Sequence, residues 1–121
     1  KYSLAVQNGT AALHLALKSL NCKPNDKVII PNYTCVSNIS SVAQCNAIPI
    51  IVEVEKETLG LDYNLVKKAI IKYKPKILQL VHVYGHPAKD TVKIIKFCKE
   101  KGVKVIEDAS EVMVYETTVI I

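Results

Sequence analysis

The sequence predicts an α/β protein with a mainly parallel sheet and helices on both faces. Three observations carry this. Short apolar runs alternate with segments of helical period through 121 residues. The connections are long enough for crossover helices, and such crossovers are right-handed and join parallel strands. A polar or turn-forming motif follows most of the strand-like runs, on the side where open parallel sheets place their ligands.

Taken in order, Ser3 to Gln7 reads as a short strand and Asn8-Gly9-Thr10 as the turn into a helix. Ala11 to Leu20 is apolar on most sides, with His14 and Lys18 as its polar edge, which predicts a largely buried helix. Lys27 to Ile30 is a strand stopped by Pro31, and Cys35 to Gln44 a helix with Val36, Ile39, Val42 and Ala43 on its inner face. Ile48 to Val54 is a strand with Pro49 near its start, which suits an end or an edge. Asp62 N-caps a helix that buries Leu65, Val66, Ala69 and Ile70. Ile77 to Val83 is an apolar strand interrupted by Gln79 and His82. Asp90 to Lys101 is a helix with Val92, Ile95 and Cys98 inward and Gly102 as its C-cap. Val103 to Ile106 is the last clear strand, and Glu107-Asp108 follow it.

Composition narrows the function. The net charge is +5, and all sixteen basic residues are lysines. Without arginine there is no bidentate reader of phosphate or guanine, so the charge reads as a solvated surface with no nucleic-acid footprint. No apolar run is long enough to span a bilayer. Cys22, Cys35, Cys45 and Cys98 form no CxxC pair and share no metal spacing with His14, His82 or His86. They read as buried or half-buried free thiols in a reducing, cytoplasmic setting.

Chemistry gathers at three places. Asn8-Gly9-Thr10 stands at a helix start, where free N–H groups suit a phosphate; it is equally an ordinary helix cap. Asn32-Tyr33-Thr34-Cys35 follows the second strand and is placed to line a pocket. Asp108 ends the last strand, and a carboxylate there calls for a cation or donor: a positively charged ring nitrogen of a cofactor, or the N–H groups of a helix it caps. The dinucleotide GxGxxG and the GxxxxGK[ST] loop are both absent, so a pyridoxal phosphate pocket fits better than a nucleotide pocket.

Five stretches, in order, make the chain resemble the DegT/DnrJ/StrS family of sugar-nucleotide aminotransferases, fold type I enzymes that use pyridoxal 5'-phosphate. They are Ala5–His14, Asp26–Pro31, Ala47–Val54, Val81–Ala88 and Val105–Glu111. The resemblance implies that residues 1–121 are part of the large, cofactor-binding domain. Gly9 and Thr10 would bind the cofactor phosphate, and Asp108 would pair with the pyridinium nitrogen. Glu111 falls close to the ring hydroxyl. Cys35 stands where the family usually stacks an aromatic on the ring, and Val114 where it usually has glycine.

By the same resemblance the substrates would be an amino-acid donor and a keto-sugar nucleotide, for amino-sugar and cell-surface polysaccharide synthesis, and the full-length enzyme a homodimer. The aldimine-forming lysine is expected beyond Ile121, so the chain alone is expected to carry no catalytic residue of that kind, no aminotransferase activity and a tendency to associate. A non-catalytic phosphate- or ligand-binding module, and an inert product of a truncated or split gene, are the alternatives.

Overall fold

The computed structural model describes residues 3–112. In chain order the elements are α1 (Gly9–Ser19), β1 (Lys27–Pro31), α2 (Val36–Gln44), β2 (Ile48–Val52), α3 (Tyr63–Tyr73), β3 (Ile77–Val81), α4 (Thr91–Glu100) and β4 (Lys104–Asp108). The four strands form one sheet in the order β2-β1-β3-β4, and every pairing is parallel. β2, which carries Pro49, is an edge strand, as that proline predicts.

Alternation along the strands sorts side chains to the two faces. One core joins Val28, Ile30, Ile77 and Ile106 of the sheet to Leu13 and Leu17 of α1 and Val42 of α2. The other joins Ile29, Leu78 and Leu80 to Val66, Ala69 and Ile70 of α3 and Ile94 and Cys98 of α4. Helices therefore cover both faces. β3 is buried along its whole length, as a central parallel strand requires.

The helix ends follow local rules. Asn8 Oδ1 accepts from the Ala11 N–H at 2.9 Å, and Asp62 Oδ1 accepts from the Leu65 N–H at 2.9 Å. Lys101 caps α4 and Gly102 follows at φ 71°, a conformation glycine adopts without steric cost.

The structure departs from the sequence expectation in four places. Ser3–Gln7 forms no strand; among the described residues no neighbouring ladder receives it, and a strand needs one. In α2 the buried positions are Asn38, Ser41 and Val42, while Val36 and Ile39 are exposed. The helix presents polar groups inward because Gln79 and Asp108 beneath it need partners. In α4 Ile94 takes the core position and Val92 faces out. In α1 only Leu13 and Leu17 are buried, so the helix lies on the sheet by one stripe. Val114 and residues 113–121 lie outside the described residues.

At the amino ends of the strands, Lys76 Nζ donates to Asp26 Oδ2 at 2.7 Å and to the Asn21 carbonyl at 2.5 Å, tying the α1–β1 loop to the start of β3. The Lys76 ammonium, followed by the Lys23 N–H, holds the Asp26 carboxyl below its ordinary value. A depressed carboxylate contributes stability that is complete above the unfolded value, about 3.9, and is lost as pH falls through the folded one. Asp26→Asn is therefore expected to flatten the acid limb of stability against pH below about pH 4. At neutral pH it should cost at most ~1 kcal/mol, because both groups are part-exposed. Urea unfolding at several pH values measures this.

Candidate functional site

The carboxyl ends of the strands collect the polar groups. The β1–α2 loop supplies Tyr33, Thr34 and Cys35, the β3–α4 loop supplies Val83 and Tyr84, and Glu111 follows β4. Together these six line a cavity of about 270 Å³. A larger cleft, about 460 Å³, lies among Ile70, Lys74, Pro75 and Val103, away from these groups.

Val83 to His86 make a tight turn, closed by the His86 N–H on the Val83 carbonyl at 3.1 Å. Tyr84 and Gly85 both take positive φ, 54° and 78°. Such a turn suits asparagine and glycine, and a tyrosine in it costs roughly 1–2 kcal/mol. Two bonds offset that cost. The Tyr84 N–H donates to Glu111 Oε2 at 2.8 Å, and the Tyr84 and Tyr33 hydroxyls meet at 2.7 Å. The bond to Tyr33 pushes the Tyr84 hydroxyl above its ordinary value, with the Glu111 charge adding to it. Glu111 thus holds the loop with one carboxylate oxygen.

Cys35 is exposed at the start of α2, against the expectation of a buried or half-buried thiol. The Ser37 hydroxyl and then the Ser37 N–H lower its thiol, while burial and the nearby charges of Asp108 and Glu111 oppose the shift. The other thiols are buried, and burial pushes Cys22 and Cys98 up to about 11, which keeps them protonated and unreactive.

Asp108 is buried on the α1/α2 face, the face of Ile106 two residues earlier. Its Oδ1 accepts from the Ser110 N–H at 3.2 Å and the Ser110 hydroxyl at 2.6 Å, and its Oδ2 accepts from Asn38 Nδ2 at 3.1 Å. A carboxylate offers about four lone-pair sites. Among the described residues three are used, and the open one is on Oδ2. No lysine or histidine lies within ion-pair distance of it among the described residues. The helix that Asp108 would cap in the alternative reading falls after Val112, outside the described residues.

On the opposite face, Glu107 Oε1 and His82 Nε2 pair at 2.7 Å, both nearly fully buried. The Ala88 N–H donates to His82 Nδ1 at 2.9 Å. An N–H donor at Nδ1 requires a lone pair there, so the ring proton is on Nε2 and is donated to Glu107. His82 therefore fastens the far end of the Tyr84 loop to β4.

Gly9 and Thr10 stand at the N-terminus of α1. The other end of α1 leads into Asn21, whose carbonyl meets Lys76 at the amino end of β3. Eleven helical residues span about 16 Å, as does a five-residue strand, so Gly9 lies toward the carboxyl side of the sheet. α1 packs on α2 and reaches β4. With Asn8 occupied by Ala11 and Ala12, the N–H groups of Gly9 and Thr10 have no intrahelical acceptor. A Cβ built on Gly9 meets nothing within 4 Å, so the approach is open.

The sequence reading missed Asn38 and Ser41, and it registered Gln79 only as an interruption. The signal was there: a glutamine inside an apolar central strand must find a buried partner. Among the described residues no cluster of three or more metal-ligating side chains occurs, and no helix is long and apolar enough to cross a membrane.

A parallel sheet covered by helices on both faces, with its polar cluster beyond the strands' carboxyl ends, defines an α/β domain whose polar edge is where such sheets place ligands. The chain belongs to the DegT/DnrJ/EryC1/StrS aminotransferase family, whose sequence model matches residues 1–117. It is 40% identical over 111 residues to GDP-perosamine synthase of Vibrio cholerae, covering 92% of this chain and 30% of that protein. It is 36% identical over 110 residues to a dTDP-3-amino-3,4,6-trideoxy-alpha-D-glucose transaminase of Streptomyces venezuelae, covering 91% of this chain and 28% of that one. Among solved structures, an aminotransferase from Psychrobacter cryohalolentis superposes with a TM-score of 0.86 at 32% identity, over 93% of this chain and 28% of that one. S. venezuelae DesV, solved in complex with a ketimine intermediate, superposes at 0.79 and 36% identity, over 84% and 27%. The chain spans about 30% of the length of the curated relatives it matches.

Proposed function

We propose that residues 1–121 are part of the cofactor-binding large domain of a pyridoxal 5'-phosphate-dependent aminotransferase. The intact enzyme moves an amino group from an amino acid to a keto-sugar carried on a nucleotide, in amino-sugar and surface-polysaccharide synthesis, and works as a homodimer in the cytoplasm. One observation carries the proposal: Asp108, at the carboxyl end of β4, is a buried carboxylate that has three donors and one open lone pair on Oδ2 among the described residues. A protonated ring nitrogen is the partner that completes it. The family membership and the sugar-aminotransferase relatives support the same reading.

When bound, the cofactor ring supplies an electron sink for the carbon that exchanges its amino group. This chain's residues bind and orient it. The amides of Gly9 and Thr10 and the Thr10 hydroxyl hold the phosphate at the positive end of α1. Asp108 keeps the ring nitrogen protonated. Cys35 borders the ring in place of an aromatic, contributing less stacking area. Glu111 and Tyr84 close the wall of the cavity.

The experiment is equilibrium binding of pyridoxal 5'-phosphate and of unphosphorylated pyridoxal to the intact protein. Thr10→Ala removes one charge-assisted bond, so it is expected to weaken binding of the phosphate ester by roughly tenfold and leave pyridoxal unchanged. Equal affinity of wild type and variant for the ester would refute the phosphate site.

A further inference from the structure

We infer that Asn38 is a positioning residue for Asp108, and that the Thr34 hydroxyl on the cavity wall anchors the Asn38 amide in the direction that Asp108 sets. The inference rests on the reading of Asp108 given above and adds to it the groups that aim the carboxylate.

Asn38, Ser41 and Gln79 are completely buried, and Asp108 nearly so. Every bond direction among them is determined. Ionised Asp108 can only accept, so the Asn38 nitrogen faces it at 3.1 Å. The same nitrogen donates to Gln79 Oε1 at 3.1 Å. Gln79 therefore turns its Nε2 to Ser41 Oγ at 3.1 Å, and the Ser41 hydroxyl donates to the Asn38 main-chain carbonyl at 2.8 Å. The Asn38 oxygen accepts from the Thr34 hydroxyl at 2.6 Å. Each donor has an acceptor, and reversing the Asn38 amide would set an oxygen against both Asp108 and Gln79.

The consequence lies on Oδ2. That oxygen carries the Asn38 bond and the open lone pair, so the Asn38 donor fixes the direction in which the remaining lone pair points. Ser110 alone, two residues along the chain and bound to Oδ1, leaves Oδ2 free to swing. The network spans β1–α2, β3 and β4, so the carboxylate is held against the sheet and not merely against its own loop. Thr34 also lines the cavity, which places the far end of the relay beside whatever occupies it.

The test compares two ligands on the intact protein: pyridoxal 5'-phosphate and its 1-deaza analogue, which has CH in place of the ring nitrogen. Aldehyde and phosphate are common to both, so the ratio of their dissociation constants reads only the contact between the ring nitrogen and Asp108. It cancels any general loosening of the fold. Wild type is expected to prefer the nitrogen-containing ligand by roughly tenfold or more. Asn38→Leu should lower that preference at least about threefold with little change in affinity for the deaza analogue. Thr34→Val, at a part-buried loop position, should lower it in the same direction by a smaller factor, and serves where Asn38→Leu fails to fold. Wild-type preference retained in Asn38→Leu, or in Thr34→Val where that variant stands alone, overturns the inference while leaving Asp108 in its role. No preference in wild type, with none lost in Asp108→Asn, overturns the reading of Asp108 and the inference with it.

Discussion

Replacing His82 by leucine is expected to lower the stability of the protein by roughly 3–5 kcal/mol, the range for removing one partner of a buried pair. His82 and Glu107 are 1% and 4% exposed, so neither can turn to water without moving the loop or the strand. The substitution strips two groups at once. Glu107 keeps its charge without the Nε2–H donor, and the Ala88 N–H loses the Nδ1 acceptor. Domains are stable by only about 5–15 kcal/mol, so this one change consumes a large share. Two companions check the mechanism. Glu107→Gln retains an acceptor for the Nε2–H and should cost clearly less. The double replacement of both residues by leucine should recover much of the loss, because no buried charge is then stranded. Urea unfolding midpoints at constant slope provide the measurement. A His82→Leu cost under about 1 kcal/mol would mean that the pair is not held as the structure shows.

Asp108→Asn in the intact enzyme is expected to reduce kcat by roughly 10²–10³-fold, the scale for removing one preorganised electrostatic contact at a reacting centre. The substitution conserves size, so its effect is on charge and donors. An amide does not hold a proton on a ring nitrogen, and the ring then withdraws electrons less. The new amide also fits its surroundings poorly. With nitrogen toward Asn38, two donors face each other; with nitrogen toward Ser110, the Ser110 N–H has no acceptor. That mismatch alone costs roughly 1–3 kcal/mol, so a modest loss of stability should accompany the loss of rate. Rate and cofactor absorbance measured together separate the two. A variant that turned over at the wild-type rate would remove Asp108 from the chemistry.

Much of the fold is legible in the sequence, because period and punctuation are local. β3 announces itself by five consecutive positions that the sheet buries, Asp62 by its place before a helical run, and Pro49 by its unsuitability for a central strand. Gly9, Thr10, Cys35 and Asp108 are marked by standing at the end of a strand or the start of a helix, whereas Glu111 is marked only by the family resemblance. The tertiary structure decided what periodicity cannot weigh. α2 has an apolar stripe at Val36 and Ile39, yet it turns Asn38 and Ser41 inward. Stranding Gln79 and Asp108 without partners costs about as much as burying two aliphatic side chains gains, so the apolar stripe by itself does not decide which face turns inward. Ser3–Gln7 has strand-like residues and no strand, because a ladder is a property of two segments. His82 and Glu107 lie 25 residues apart. Only the register of Leu80 opposite Glu107 brings them to one face and makes a buried pair of two residues that the sequence shows separately.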